Sequence, residues 1–232
     1  MLREIILDTE TTGTDPTGDR IVEIGCVELL NCIPTGRTFH VYVNPQRAVS
    51  QGALAVHGLS DSFLSDKPVF AAIAPDFMEF VREARLVIHN AAFDVAFLNA
   101  ELGRCGHPTF ELNKANCTLS LARRKHPSAA NSLDALCSRY GIDNSRRTKH
   151  GALLDAEILA EVYIELMGGK QADLGLVIAR DNARVSDAAI VLPAQARRAP
   201  ASRLTDAERE AHLAFVATLG ANALWGDYLK NA

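Results

Sequence analysis

Apolar and polar positions change their period twice along this chain. Up to residue 43 the apolar residues come in short β-branched runs, Glu4 to Leu7, Arg20 to Leu30 and Arg37 to Val43, with turns bearing Gly, Pro, Asn and Asp between them. Runs of this kind predict strands, and three in succession with short connections predict an antiparallel meander. Beyond Pro68 the spacing becomes helical: Phe70, Ile73, Phe77, Phe80 and Val81 recur every three or four residues, which predicts an amphipathic helix. A short apolar strand, Leu86 to Ile88, follows. Helical patterns then run through Ala92 to Leu102, Cys117 to Arg124, Ser132 to Tyr140 and Leu153 to Met167. Together these elements predict an α/β layer architecture, a mixed sheet flanked by helices.

Gly168-Gly169 stops the last of these helices in the manner of a glycine C-terminal cap. From Pro193 to Arg203 the chain holds no large apolar residue, so it cannot build a core and reads as linker. Thr205-Asp206-Ala207-Glu208 then forms a capping-box pattern at the start of a short helix carrying Leu213, Phe215, Val216 and Leu219, with Trp225 and Tyr228 beyond it. The expected division is a catalytic domain over 1–169, a tethered and flexible stretch over 170–203, and a C-terminal segment over 204–232.

Composition narrows the function. At 232 residues, 48% hydrophobic and 22% charged, there is room for one well-buried domain and an appendage. A net charge of −4 argues against a chain that grips nucleic acid alone, since non-specific affinity rests on neutralised phosphates. If DNA is the substrate, a partner is expected to hold it. Cys26, Cys32, Cys105, Cys117 and Cys137 form no C-x-x-C pair and no zinc-like spacing, so they read as reduced thiols. Charges within the first ten residues leave no signal peptide, no later stretch is long enough to span a membrane, and a cytoplasmic location is expected.

The candidate chemistry lies in carboxylates. Asp8 and Glu10, at i and i+2 on the end of the first strand, leave the same face of a sheet about 7 Å apart along the chain. Two such acids repel each other unless a cation lies between them, and Thr11-Thr12-Gly13 supplies a turn with donors beside them. Asp94 falls in the opening turn of a helix, where the dipole favours an anion. His150 and Asp155 are five residues apart, about 140° around a helix, so both reach one site only if His150 precedes the helix that carries Asp155.

Three segments, Leu7-Asp8-Thr9-Glu10-Thr11-Thr12-Gly13, His89-Asn90-Ala91-Ala92-Phe93-Asp94 and His150-Gly151-Ala152-Leu153-Leu154-Asp155, resemble the motifs of the four-acid-plus-histidine (DEDDh) 3′→5′ exonuclease family. Within it, the catalytic domain is similar to the proofreading epsilon subunits of bacterial DNA polymerase III. The likeness includes Phe39-His40-Val41-Tyr42, Val56-His57-Gly58-Leu59, Asn131-Ser132-Leu133-Asp134-Ala135-Leu136-Cys137 and Leu159-Ala160-Glu161-Val162-Tyr163. One departure stands out: Gln51-Gly52 replaces a Pro-Glu pair frequent in the family just before Val56-His57-Gly58.

The resemblance implies a ribonuclease-H-like fold and removal of 3′ terminal nucleotides as 5′ monophosphates. It implies two divalent cations, Mg²⁺ or Mn²⁺, held by Asp8, Glu10, Asp94 and Asp155, with His150 as general base. An all-carboxylate donor set without thiolates suits such oxygen-seeking ions, and a histidine of ordinary pKa near 6.5 can take a proton near neutral pH. Thr11, His57, Asn90 and Phe93 fall on positions near the terminal nucleotide of a DNA 3′ end. Arg123 to Lys125 and Arg146, Arg147 and Lys149 are candidates for phosphate contacts.

In the tail, Gln171, Leu174 and Leu176 resemble a peptide that binds the sliding clamp (beta). The segment with Phe215 and Trp225 is expected to bind the polymerase catalytic (alpha) subunit, and the resemblance leaves room for a small third core subunit. Two other readings stay open at this point: an exoribonuclease of the same family, and an adaptor whose nuclease domain is inactive.

Overall fold

The computed structural model describes residues 2–147, 149–168 and 205–219. They fall into two units, within 1–177 and within 178–232, taken here separately. In the first, three strands come first: β1 (Arg3–Thr11), β2 (Ile21–Leu30) and β3 (Ile33–Tyr42). Helices α1 (Gln51–His57), α2 (Asp61–Leu64) and α3 (Phe70–Val81) lead to β4 (Arg85–Ile88), followed by α4 (Ala91–Arg104) and the two-residue β5 (Asn116–Cys117). Helices α5 (Thr118–Lys125), α6 (Leu133–Tyr140) and α7 (Ala152–Leu166) complete it.

The sheet order is β3-β2-β1-β4-β5. β1, β2 and β3 form the expected antiparallel meander, whereas β4 joins β1, and β5 joins β4, in parallel. The mixed α/β sheet flanked by helices is therefore as expected. Side chains alternate along β1. Ile5 and Leu7 pack with Phe70, Ile73 and Phe77 of α3 and Val95, Phe97 and Leu98 of α4. Ile6 points the other way and packs with Ala156, Leu159, Ala160 and Tyr163 of α7. A strand covered on both faces is apolar at nearly every position, which is why Glu4 to Leu7 reads as a continuous run.

As expected, Asp8 and Glu10 lie at the end of β1, which runs on to Thr11 because β2 keeps pairing with it, Asp8 opposite Gly25 and Glu10 opposite Glu23. Helices α1 and α2 were not expected. Ser50 caps α1, its Oγ accepting from the Ala53 N–H at 3.2 Å, and this cap compensates for the weak helix former Gly52. The departure at Gln51-Gly52 thus sits on the exposed first turn of a capped helix. Gly168 follows α7 at φ +83°, the left-handed conformation expected of a glycine stop.

In the second unit, α8 (Asp206–Thr218) opens on the expected capping box: Thr205 Oγ1 accepts from the Glu208 N–H, and Glu208 accepts from the Thr205 N–H at 2.8 Å. Phe215 lies on α8 and is 62% exposed. The stretch over 170–203, including Gln171, Leu174 and Leu176, lies outside the described residues, as does Trp225. Among the described residues no helix is long and apolar enough to cross a membrane.

Candidate active site

Four acids and a histidine meet at one end of the sheet. Parallel strand β4 stops at Ile88, opposite Leu7, so the edge of β1 facing it is unpaired from Thr9 onward. Crevices at this end of parallel strands are where open α/β sheets bind ligands. The freed Thr9 N–H donates to Asp94 Oδ1 at 3.1 Å, and the Thr9 hydroxyl donates to the same oxygen at 2.8 Å. Asp94, 3% exposed, lies in the first turn of α4. Asn90, which caps that helix, adopts φ +64°, ψ +49° and turns the chain from β4 into α4.

On the α7 side of the sheet, Asp8 is half-buried and Glu10 buried. Gly25, directly across from Asp8, brings α7 to them. A Cβ on Gly25 would lie 2.2 Å from the Ala152 carbonyl carbon and 2.2 Å from the Leu153 nitrogen. The first turn of α7 rests on bare backbone of β2, and Asp155, in that turn, arrives beside Glu10 and His150. Ligand atoms of Glu10, His150 and Asp155 all lie within 4.8 Å of one another. His150 sits on the loop before α7 and Asp155 within the helix, as their spacing requires.

Crowding of like charges away from water raises these acids. Burial, then the charges of Asp94, Glu10 and Asp155, holds Asp8 well above the usual carboxylate range. Burial first, then Asp155 and Glu23, pushes Glu10 up to about 8. Asp94 rises to about 7 through burial, against the opposing hydrogen bonds from Thr9. Three oxygen-donor acids that resist ionisation together fit a divalent cation, which would relieve both their repulsion and their desolvation.

Arg147 enters the site as well, and the sequence did not foretell it. Its Nε donates to Asp155 Oδ1 at 2.5 Å and its Nη2 to Asp155 Oδ2 at 2.8 Å. Its Nη1 donates to both oxygens of Asp134, at 2.9 and 3.0 Å. Nη2 also lies 2.7 Å from His150 Nδ1, while Asp155 Oδ2 lies 3.2 Å from that same nitrogen. A guanidinium only donates and a carboxylate only accepts, so Nδ1 can serve one of them at a time. Arg147 therefore turns inward instead of lying on an open basic face. Arg146 pairs with Glu157 at 3.7 Å, and Lys125 donates to the Glu165 and Leu166 carbonyls at the end of α7.

Of the expected substrate residues, Asn90 is exposed and Phe93 half-buried, packed on Phe97 with centroids 4.8 Å apart and ring planes tilted by 44°. Thr11 is buried, its hydroxyl donating to the Gly13 carbonyl at 2.6 Å. His57 closes α1, and both its ring nitrogens are engaged within the protein. Nδ1 accepts from the Leu59 N–H at 3.0 Å, so Nε2 carries the hydrogen and donates to the Thr11 carbonyl at 3.2 Å. Burial accordingly lowers its pKa. A cleft of about 1030 Å³ lies elsewhere, lined by Arg3, Arg37, Arg82, Arg85 and Lys114. Its cations are largely spoken for, Arg3 and Arg37 by Glu28 and Lys114 by Glu111.

Comparison with known proteins agrees with this geometry. A family model described as Exonuclease matches residues 5–163, a span that includes all four acids and His150. A DNA polymerase III subunit epsilon of Rickettsia felis is 53% identical over 180 residues, covering 76% of this chain and 79% of that protein. That of Escherichia coli K12 is 44% identical over 235 residues, covering 96% and 97%. Among solved structures, exonuclease X in complex with 5′ overhanging duplex DNA shares 30% identity, with a TM-score of 0.55 over 73% of this chain and 92% of that one. The nuclease domain of 3′hExo, a DEDDh family member bound to rAMP, has a TM-score of 0.62 at 18% identity and shows the same fold. A carboxylate cluster at the sheet end, an exonuclease model spanning it and relatives matched almost end to end place this chain in the epsilon-subunit family of bacterial DNA polymerase III exonucleases.

Proposed function

We infer that this protein is the proofreading 3′→5′ exonuclease of a DNA polymerase III core, and that it removes mispaired 3′ terminal nucleotides as 5′ monophosphates. The observation that carries the reading is that Asp155 and His150 from the α7 side come within ligand reach of Glu10, while Asp8, two residues before Glu10 on β1, lies close enough to Asp94, Glu10 and Asp155 for their charges to raise it. Four carboxylates without a thiolate would hold Mg²⁺ or Mn²⁺, and we assign two ions to them. Such ions, when bound, supply Lewis acidity at phosphorus and a more acidic water.

The chain's own residues then do the rest. Thr9 fixes one oxygen of Asp94 with two donors and leaves the other free to ligate. His150 takes the proton of the attacking water. When Nδ1–H donates to Asp155 Oδ2, Nε2 carries no hydrogen, and once the ring turns away from Arg147 Nη2, 3.3 Å from Nε2, that nitrogen is the accepting atom. That ring is 46% exposed and has room to turn. Asn90 and Phe93, at the start of α4, are placed to meet the terminal nucleotide. His57 acts on that nucleotide indirectly, by holding the Thr11 carbonyl and with it the turn that follows Glu10. Cytoplasmic work beside the chromosome follows from the role.

For docking, we assign Gln171, Leu174 and Leu176 to the sliding clamp and the segment from residue 204, with exposed Phe215 and with Trp225, to the polymerase catalytic subunit. An amphipathic helix with an exposed aromatic anchor is suited to an interface. Copurification with the catalytic subunit should be lost on deleting residues 204–232, and retained binding would refute that assignment. The function itself is tested by presenting a 3′-mismatched DNA primer and an RNA oligomer of the same sequence with Mg²⁺. Preferential digestion of the DNA from its 3′ end is expected. Preference for the RNA would favour an exoribonuclease.

A further inference from the structure

We propose that Arg147 is a positioning residue for the nuclease reaction, a brace that fixes the Asp155 carboxylate by tying it to Asp134 of α6. The idea rests on the reading of Asp155 as a metal ligand.

The geometry is specific. Arg147 grips both oxygens of Asp155 through Nε and Nη2, and both oxygens of Asp134 through Nη1. Its side chain is 9% exposed although it stands on an irregular loop, and Asp134, 60% exposed, anchors it from outside. Asn144 Nδ2 donates to Asp134 Oδ1 at 3.0 Å and steadies that anchor. Among the described residues, Arg147 is the only lysine or arginine hydrogen-bonded to any of the four acids. Asp155 needs such a partner, because it is 2% exposed and faces other carboxylates.

Each carboxylate oxygen has two lone pairs, so Asp155 Oδ1, which accepts from Arg147 Nε alone, keeps one for a cation. The brace therefore sets the direction of the remaining lone pairs without consuming them. Groups that orient metal ligands in this way matter nearly as much as the ligands. A lysine has the charge but not the planar fork, and cannot span two carboxylates bidentately.

The test uses the 232-residue chain, the three single variants Arg147→Lys, Asp134→Asn and Asp155→Asn, and the double variant that combines Arg147→Lys with Asp155→Asn. Binding of Mn²⁺ is followed by calorimetry without DNA, and kcat and KM are measured on a single-stranded oligonucleotide. Arg147→Lys should weaken Mn²⁺ binding and lower kcat by about 10- to 100-fold with KM little changed. Asp134→Asn, a near-isosteric change at a residue 60% exposed, should shift both quantities in the same direction by a smaller factor, with circular dichroism like that of the parent. Adding Arg147→Lys to Asp155→Asn should weaken Mn²⁺ binding no further, since the brace would have nothing left to position.

Parent-like Mn²⁺ binding in Arg147→Lys would overturn the proposal, as would a further loss in the double variant. A rise in KM alone would also overturn it, making Arg147 a phosphate contact. Failure of the nuclease reading is visible separately, as an unvaried protein that does not digest DNA.

Discussion

Gly25 stands opposite Asp8 in the β1–β2 ladder, and the backbone of α7 occupies the space its side chain would fill. This close approach joins the two strand acids to Asp155, so the site depends on a residue with no chemistry of its own. Gly25→Ala would place a methyl group against the backbone at Ala152 and Leu153, which cannot rotate away as a side chain could. The expected cost is about 3 kcal/mol in denaturant unfolding, at the upper end for overpacking. Binding of Mn²⁺ should be impaired along with it. A variant with parent-like stability and metal affinity would show that α7 is not seated by this contact.

Glu10 ties metal binding to pH. Its folded pKa of about 8 lies above the unfolded value of 4.5, so between these values the folded state holds the extra proton. Stability then falls as pH rises through that window, by linkage. Glu10→Gln removes the effect. Without divalent cations, the melting temperature of the parent relative to Glu10→Gln should therefore decline from pH 5 to pH 8. Added Mn²⁺ should stabilise the parent more at pH 8 than at pH 6, because ligands bind deprotonated. A difference between the two proteins that does not vary with pH would contradict the assignment.

Thr9 offers a milder perturbation of the same cluster. Thr9→Val keeps the backbone donor to Asp94 but removes the 2.8 Å hydroxyl donor. Hydrogen bonds to charged groups contribute about 1.5 to 3 kcal/mol, so a stability loss of that size is expected above the Asp94 pKa of about 7, where the carboxylate is ionised. Mn²⁺ affinity should fall by about 10-fold, as for other groups that orient a ligand. Unchanged metal affinity would mean that Asp94 needs no such support.

The sequence carried the site's chemistry more clearly than its supports. Asp8 and Glu10 were legible because a strand has period two, and His150 could be placed off its helix because 3.6 residues per turn forbids the alternative. Gly25, Thr9 and Arg147 were not legible, since their roles follow from pairing register and from contacts between segments far apart in the chain. Arg147 in particular looks like one member of a basic run, and only the fold shows that Asp134 and Asp155 lie on either side of it. Helix α1 was hidden by Gly52, although its Ser50 cap was present as a signal. β5 has two residues and no pattern of its own, and exists because β4 offers an edge.

The central claim is that the carboxylates on β1 carry the hydrolysis, and the direct measurement is release of the 3′ terminal nucleotide from a mismatched primer with Mg²⁺ by the parent and by Asp8→Ala. The parent should release a 5′ monophosphate. Asp8→Ala should be inactive while its circular dichroism and melting stay close to those of the parent, since Asp8 contributes repulsion and not packing. Near-normal digestion by a folded Asp8→Ala protein would contradict the account.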